Sequence, residues 1–248
     1  MSTGDTAKRK FAVFDIDGTL IRWQLYHAVV SELAKRGHLA DNAEQVIHNA
    51  RMTWKKRSHS ESFREYEEVL VHTYLDALKG LKTNDYLTAV GSVFEEHKDQ
   101  VYTYTRDLVT SLKAKNYVLF AISGSQNEIV AKLATYYSFD DYKGADFEQK
   151  DGYFTGRVNT PFGRKLEPLK ELVTKHGLTF EGSIGVGDSG SDISMLEAVS
   201  KPIAFNPNRD LFETAKLRGW EVIIERKNVV YKLTQEGNNG QYLLASTN

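Results

Sequence analysis

The sequence predicts an α/β fold, with a parallel sheet covered by helices and a separate helical segment inserted after the first strand. Three observations predict it. First, short continuous apolar runs occur at 11–14 (FAVF), 117–122 (YVLFAI) and 183–186 (SIGV). Each is followed at once by small or acidic residues: DIDGT, SGS and GDSGSD. Runs of this kind suit parallel strands buried on both faces. Second, amphipathic patterns lie between the runs, so strands and helices alternate. Third, residues 23–100 contain no proline and read as consecutive helices.

Taken in order, FAVF is the first strand. Leu25, Val29 and Leu33 then mark one helix face, which stops at Gly37. Asp41 with Glu44 resembles a capping box for a second helix, and Ser58 with Glu61 for a third. The third carries Phe63, Tyr66, Leu70 and Tyr74 and stops at Gly80; Thr83 begins a fourth. A helix over 105–115 carries Leu108, Val109 and Leu112 and ends at Asn116. Asp151-Gly152 within DGYFTGRV predicts a short antiparallel hairpin. Further helices are expected over 165–175 and 192–199, and further strands at 202–205 and 221–224. The polar end, 231–248, is expected to be loosely attached. The expected domains are an α/β core of 1–22 and 101–248, interrupted by a helical cap of 23–100.

Composition narrows the function classes. The 248 residues carry 32 Lys+Arg against 33 Asp+Glu, a net charge of −1. That balance gives no basic surface for nucleic acid. With no cysteine, thiolate metal sites, disulfides and cysteine nucleophiles are excluded. No run approaches the ~20 apolar residues of a membrane helix, and the N-terminus lacks a signal core. A cytoplasmic protein without membrane or nucleic-acid partners is the expectation; oligomeric state is not readable.

The chemistry sits at the strand ends, where parallel sheets form their ligand crevice. Asp15 and Asp17 leave the first strand on one side, a pair suited to holding a cation or dividing acid and nucleophile roles. Gly18 lets the chain turn and present N–H groups to an anion. Ser123 and Gly124 follow the second run, where a hydroxyl and N–H groups suit phosphate oxygens, though serine there is also an ordinary helix cap. Lys165 offers an ammonium, which alone would read as a surface lysine. Asp188 and Asp192 flank a glycine-containing loop after the third run. Such hard oxygen ligands suit Mg²⁺.

In this order the motifs DxDGT, SG, Lys and GDxxxD resemble the haloacid dehalogenase superfamily of phosphohydrolases. The text GVGDSGSDISMLEAVSKPIAFNPN and the hairpin DGYFTG are similar to its phosphoserine-phosphatase-like branch. The resemblance implies a Rossmann-like parallel core with an inserted helical cap. It implies a Mg²⁺-dependent phosphomonoesterase acting on a small phosphorylated metabolite. Asp15 would be the nucleophile and Asp17 the acid and base. The metal would be held by Asp15, Asp188 and the backbone carbonyl of Asp17. Ser123, Gly124, Gly18 and Lys165 would hold the phosphoryl group, with Thr19, Ser189 and Asp192 in support. Members that attack carbon lack the second acid, so Asp17 favours phosphate esters. A phosphotransferase and a catalytically silent binding module are the alternatives.

The cap bears on the substrate. Phosphoserine phosphatases carry a glutamate for the substrate amine where this chain has Gln24, so the resemblance does not carry phosphoserine specificity. Gln24 and Trp23 are the candidate substrate contacts; phosphocholine, histidinol phosphate and sugar phosphates stay open. Trp23, Tyr26, Trp54, Phe63, Tyr66 and Tyr74 could cage a cationic leaving group, but helix packing is the favoured reading of so many rings.

Overall fold

A computed structural model describes residues 9–235 and 241–247, apart from 41, 58, 60 and 61 and the side chains of 63 and 64. The capping-box residues Asp41, Ser58 and Glu61, and the Phe63 ring, therefore lie outside the described residues. In chain order the elements are β1 (Phe11–Phe14), α1 (Leu25–Lys35), α2 (Ala43–Lys55), α3 (Ser62–Leu78), α4 (Thr83–His97) and α5 (Thr103–Ala114). Then come β2 (Val118–Gln126), α6 (Asn127–Tyr136), β3 (Asp141–Lys150), β4 (Tyr153–Asn159), α7 (Leu166–Lys175) and β5 (Ile184–Gly187). The chain ends with α8 (Ile193–Leu196), β6 (Lys201–Phe205), α9 (Arg209–Arg218), β7 (Glu221–Arg226), β8 (Val229–Gln235) and β9 (Tyr242–Thr247).

The chain divides into two compact units. One comprises Met1–Trp23, His97–Ala145 and Thr160–Asn248; the other comprises Gln24–Glu96 and Asp146–Asn159. In the first, β2, β1, β5, β6 and β7 lie side by side in parallel, and the start of β3 pairs parallel with β2. All four residues of β1 are fully buried, as expected of a strand covered on both faces. Phe11, Val13, Phe120 and Ile122 pack against Leu169, Leu172, Met195 and Leu211 from α7, α8 and α9. Each such side chain contributes about 1.5–3 kcal/mol by leaving water.

The described residues of the C-terminal end are paired into the sheet, where a loose attachment was expected. β8 pairs antiparallel with β7, and β9 with β8. Leu233 and Tyr242 pack against the core cluster, and the Tyr242 hydroxyl donates to the Trp220 carbonyl at 2.8 Å. Val230 of β8 is buried as well, whereas Leu243 and Leu244 of β9 stay exposed. Two helices that the sequence reading left unassigned, α6 and α9, complete the unit. α9 carries ordinary end signals: Asn208 accepts the Leu211 N–H at 3.0 Å, and Gly219 closes it at φ 67°.

The second unit holds the four expected helices, α1 to α4. It also holds the hairpin of β4 and the end of β3, which the expected boundaries had assigned to the α/β part. Aromatic packing explains the difference. Tyr74 is fully buried, with the Tyr26 ring 4.7 Å and the Phe147 ring 5.6 Å away. Phe154 meets Tyr86 at 4.7 Å. The turn itself follows the Asp-Gly rule, with φ 53° at Asp151 and 81° at Gly152. Trp54 stacks on Tyr66 at 5.4 Å. These aromatic residues pack on one another, in line with helix packing rather than a cage.

Candidate active site

Strand register brings the site together. Phe14 lies level with Ala121 of β2 and Val186 of β5. The residues just beyond these strands therefore emerge side by side, and the Asp15 N–H donates to the Val186 carbonyl at 2.9 Å. The chain turns to β2 on one side of β1 and later to β5 on the other. The carboxyl ends of β1 and β5 thus form a topological switch point, where open α/β sheets place their ligand sites.

Lys165, which precedes α7, is buried rather than at the surface: its side chain is 2% exposed. Its Nζ donates to Asp15 Oδ1 and to Asp192 Oδ1, both at 2.5 Å. Asp192 uses its other oxygen to accept the N–H groups of Asp188 and Ser189, at 3.0 and 2.9 Å. It thereby ties the β5 loop to the lysine. Ser189 supports that loop, its hydroxyl lying 3.3 Å from Asp192 Oδ2 and 2.9 Å from the Ser191 hydroxyl. Asp188 lies at the same strand end.

Asp17 is gripped from β2. The Ser123 hydroxyl donates to Asp17 Oδ2 at 2.5 Å and the Ser125 hydroxyl to Asp17 Oδ1 at 3.1 Å. Ser123 Oγ also accepts the Ser125 N–H at 2.9 Å. In this geometry the Ser123 hydroxyl serves Asp17, where a phosphate contact was expected. Ser125 was missed by the sequence reading. Its signal was present, since residues two apart on an extended chain face the same way.

Gly18 also differs from expectation. Its N–H is taken by the Ile21 carbonyl at 2.9 Å, so it is not free for an anion. Its role is close approach. At φ +79° a Cβ would lie 2.1 Å from Asp188 Oδ2, so only glycine lets the first loop abut that carboxylate. Thr19 is fully buried, its carbonyl accepting the Thr105 hydroxyl at 2.8 Å. Its own hydroxyl has no partner among the described residues. Trp23, 44% exposed, ends the first segment of the α/β unit. Gln24 caps α1 in the helical unit without a side-chain hydrogen bond.

The electrostatics follow from burial. Desolvation raises the Asp15 carboxyl; the Lys165 ammonium pulls it down, while Asp192 and Asp17 push it up. The balance lies at about 7. Asp188 is raised well above the usual carboxylate range, by burial first and then by Asp15 and Asp192. Burial works against the Lys165 charge, but Asp15 and Asp192 outweigh it and hold its pKa above the ordinary lysine value. One buried ammonium thus faces several carboxylates.

That surplus of negative charge fits a divalent cation. Asp15 Oδ2 is buried with no hydrogen-bond partner among the described residues. Asp15, Asp188 and Asp192 present oxygens that all lie within 4.8 Å of one another. An orphaned carboxylate oxygen among hard oxygen donors is what Mg²⁺ binding needs.

Comparison with known proteins identifies a family and a fold. A family described as haloacid dehalogenase-like hydrolase matches residues 12–197. The phosphoserine phosphatase SerB2 of Mycobacterium tuberculosis is 26% identical over 210 residues, covering 84% of this chain and 46% of the relative. A histidinol-phosphatase of Neisseria meningitidis is 25% identical over 236 residues, covering 87% of this chain and 98% of the relative. The chain thus spans about half the length of the first relative and nearly all of the second. Among solved structures, a phosphoserine phosphatase in apo form superposes with a TM-score of 0.61 at 22% identity, over 89% of this chain and 96% of that one. This likeness concerns the fold. Among the described residues, no helix is long and apolar enough to cross a membrane.

Proposed function

The chain belongs to the haloacid dehalogenase-like hydrolase family, and from that membership we propose that it hydrolyses phosphomonoesters of small metabolites through an aspartyl-phosphate on Asp15. The observation that carries the reading is the buried Lys165, bonded to both Asp15 and Asp192 beside a second acid, Asp17. A dehalogenase acting on carbon has no use for that second acid. The names of the two relatives, a phosphoserine phosphatase and a histidinol-phosphatase, support a small phosphorylated substrate.

In the proposed reaction an Asp15 carboxylate oxygen attacks phosphorus as the ester P–O bond breaks. Asp17, oriented by Ser123 and Ser125, gives its proton to the departing alkoxide oxygen. It then takes a proton from the water that attacks the aspartyl-phosphate, releasing phosphate and restoring Asp15. Lys165 neutralises charge on the phosphoryl oxygens, where catalysis is mostly positioning and electrostatics. Asp15, Asp188 and the Asp17 carbonyl would hold Mg²⁺. When bound, the cation would supply further charge neutralisation at the phosphoryl group.

The test is Mg²⁺-dependent hydrolysis of p-nitrophenyl phosphate by the wild type and Asp15→Asn. The substitution keeps the shape and removes the nucleophile. Hydrolysis by the wild type with loss in the variant supports the mechanism. Retained hydrolysis in Asp15→Asn would sink the covalent step. No hydrolysis of any phosphate ester by the wild type would sink the phosphatase reading.

A further inference from the structure

The loop from Thr160 to Arg164 holds a phenylalanine in water. Phe162 is 62% exposed. Single exposed apolar side chains are common and need no explanation. What distinguishes this one is where it stands and how it is held. A Cβ built on Gly124 would lie 3.2 Å from Phe162 Cδ2 and 3.5 Å from its Cβ. The ring therefore rests against Gly124 of β2, between Ser123 and Ser125, the two residues that hold Asp17. Three residues further along its own loop is Lys165, which holds Asp15. The ring is thus held against the strand that positions Asp17 and lies three residues from the lysine that holds Asp15.

The loop is also well tied. Thr160 Oγ1 accepts the Phe162 N–H at 3.2 Å. The Arg164 guanidinium donates to the Thr160 carbonyl at 3.2 Å, and its N–H donates to the Pro161 carbonyl at 2.9 Å. Gly163, at φ +71°, allows the reversal. Gly124, in turn, leaves room for the ring to come this close.

We infer that Phe162 is a specificity-determining residue whose exposed ring is a platform for the leaving group, selecting phosphomonoesters whose alcohol carries a flat ring. The inference rests on the phosphatase reading and deepens it by naming a substrate class. Aromatic rings gain from offset or edge contact beyond the area they bury, enough for a preference of roughly two- to tenfold.

The experiment compares benzyl phosphate with propyl phosphate on the Mg²⁺-loaded wild type, Phe162→Ala and Phe162→Trp. The readout is the ratio of the two kcat/KM values, together with inhibition constants for benzyl- and propylphosphonate. The wild type is expected to favour the benzyl ester, with the same order among the phosphonates. Phe162→Ala is expected to lose about fivefold of that ratio, chiefly in KM, and Phe162→Trp to keep it. Hydrolysis with an unchanged ratio in Phe162→Ala overturns this inference alone. So does a wild type without preference. Failure to hydrolyse every ester, p-nitrophenyl phosphate included, overturns the phosphatase reading and this inference with it.

Discussion

Replacing Lys165 by Met removes the ammonium bonded to Asp15 and Asp192 while keeping a side chain of similar length. Both acids are nearly enclosed, with side-chain exposures of 5% and 0%. Breaking a buried ion pair by removing one partner typically costs about 3–5 kcal/mol. That is a large part of the roughly 5–15 kcal/mol by which proteins are stable. With a urea dependence of about 2 kcal/mol per molar, the unfolding midpoint should fall by about 1.5–2.5 M. The sign with pH follows from Asp15. Its carboxyl is already raised to about 7, so the folded state holds a proton that the unfolded chain releases nearer the ordinary value. That contribution favours folding at low pH and is lost as pH rises. Without Lys165 the carboxyl is pushed higher still, so the variant loses more stability over the same range. Each pH unit over which one extra proton is held is worth about 1.4 kcal/mol. Urea melts with EDTA, followed by circular dichroism at about pH 5 and about pH 8, measure both effects. A midpoint shift under about 0.5 M at the higher pH, corresponding to about 1 kcal/mol, would refute the reasoning. A deficit equal at the two pH values would refute it too.

Two further outcomes follow from the same cluster. Mg²⁺ should stabilise the protein by about 2.7 kcal/mol at a hundredfold excess over its Kd. The gain should be larger at about pH 8 than at about pH 5, since protons compete for the raised carboxyls, and Asp188→Asn should remove it; a melting temperature indifferent to Mg²⁺ at the higher pH would count against the site. Gly18→Ala would place a methyl group on Asp188 Oδ2 at a strained φ, and a shift of about 1 Å there should lower kcat by about a hundredfold. Near wild-type turnover of p-nitrophenyl phosphate by that variant would show that the loop can yield.

Much of the architecture was legible because its strands are buried on both faces. Phe11–Phe14 and Val118–Ile122 stand out as unbroken apolar text, and a charged residue beside such a run is conspicuous. The same logic failed at the sheet edge. β8 and β9 lie at the sheet edge with Leu243 and Leu244 exposed, and the polar stretch between the two strands makes the segment read as loose. The hairpin was legible from Asp151-Gly152, but its companions were not, since the contacts of Phe147 and Phe154 depend on rings far away in the chain. Within the site, residue types were readable and hydrogen-bond partners were not. Ser123 reads as a helix cap or a phosphate contact, and only the geometry shows its hydroxyl on Asp17. Lys165 by itself reads as a surface residue; its burial depends on two aspartates from different strand ends.

The position of β1 in the sheet has a consequence for how the chain is made. β1 precedes both of its partner strands in the chain, since Phe11 pairs with Val118 and Ala12 with Ile184. Its four apolar residues have both edges covered only after the strand that begins at Ile184 has been synthesised. Long-range parallel pairing is slow, because the intervening loop must be closed before any contact compensates it. During that interval the strand that will carry Asp15 is an exposed, uncharged β-forming segment, the kind that joins other unfinished chains. Lys8, Arg9 and Lys10 on one side and Asp15 and Asp17 on the other bracket FAVF with charge. Such flanking charges oppose aggregation while the strand is unpaired, so the two aspartates of the proposed catalytic pair also protect the nascent chain.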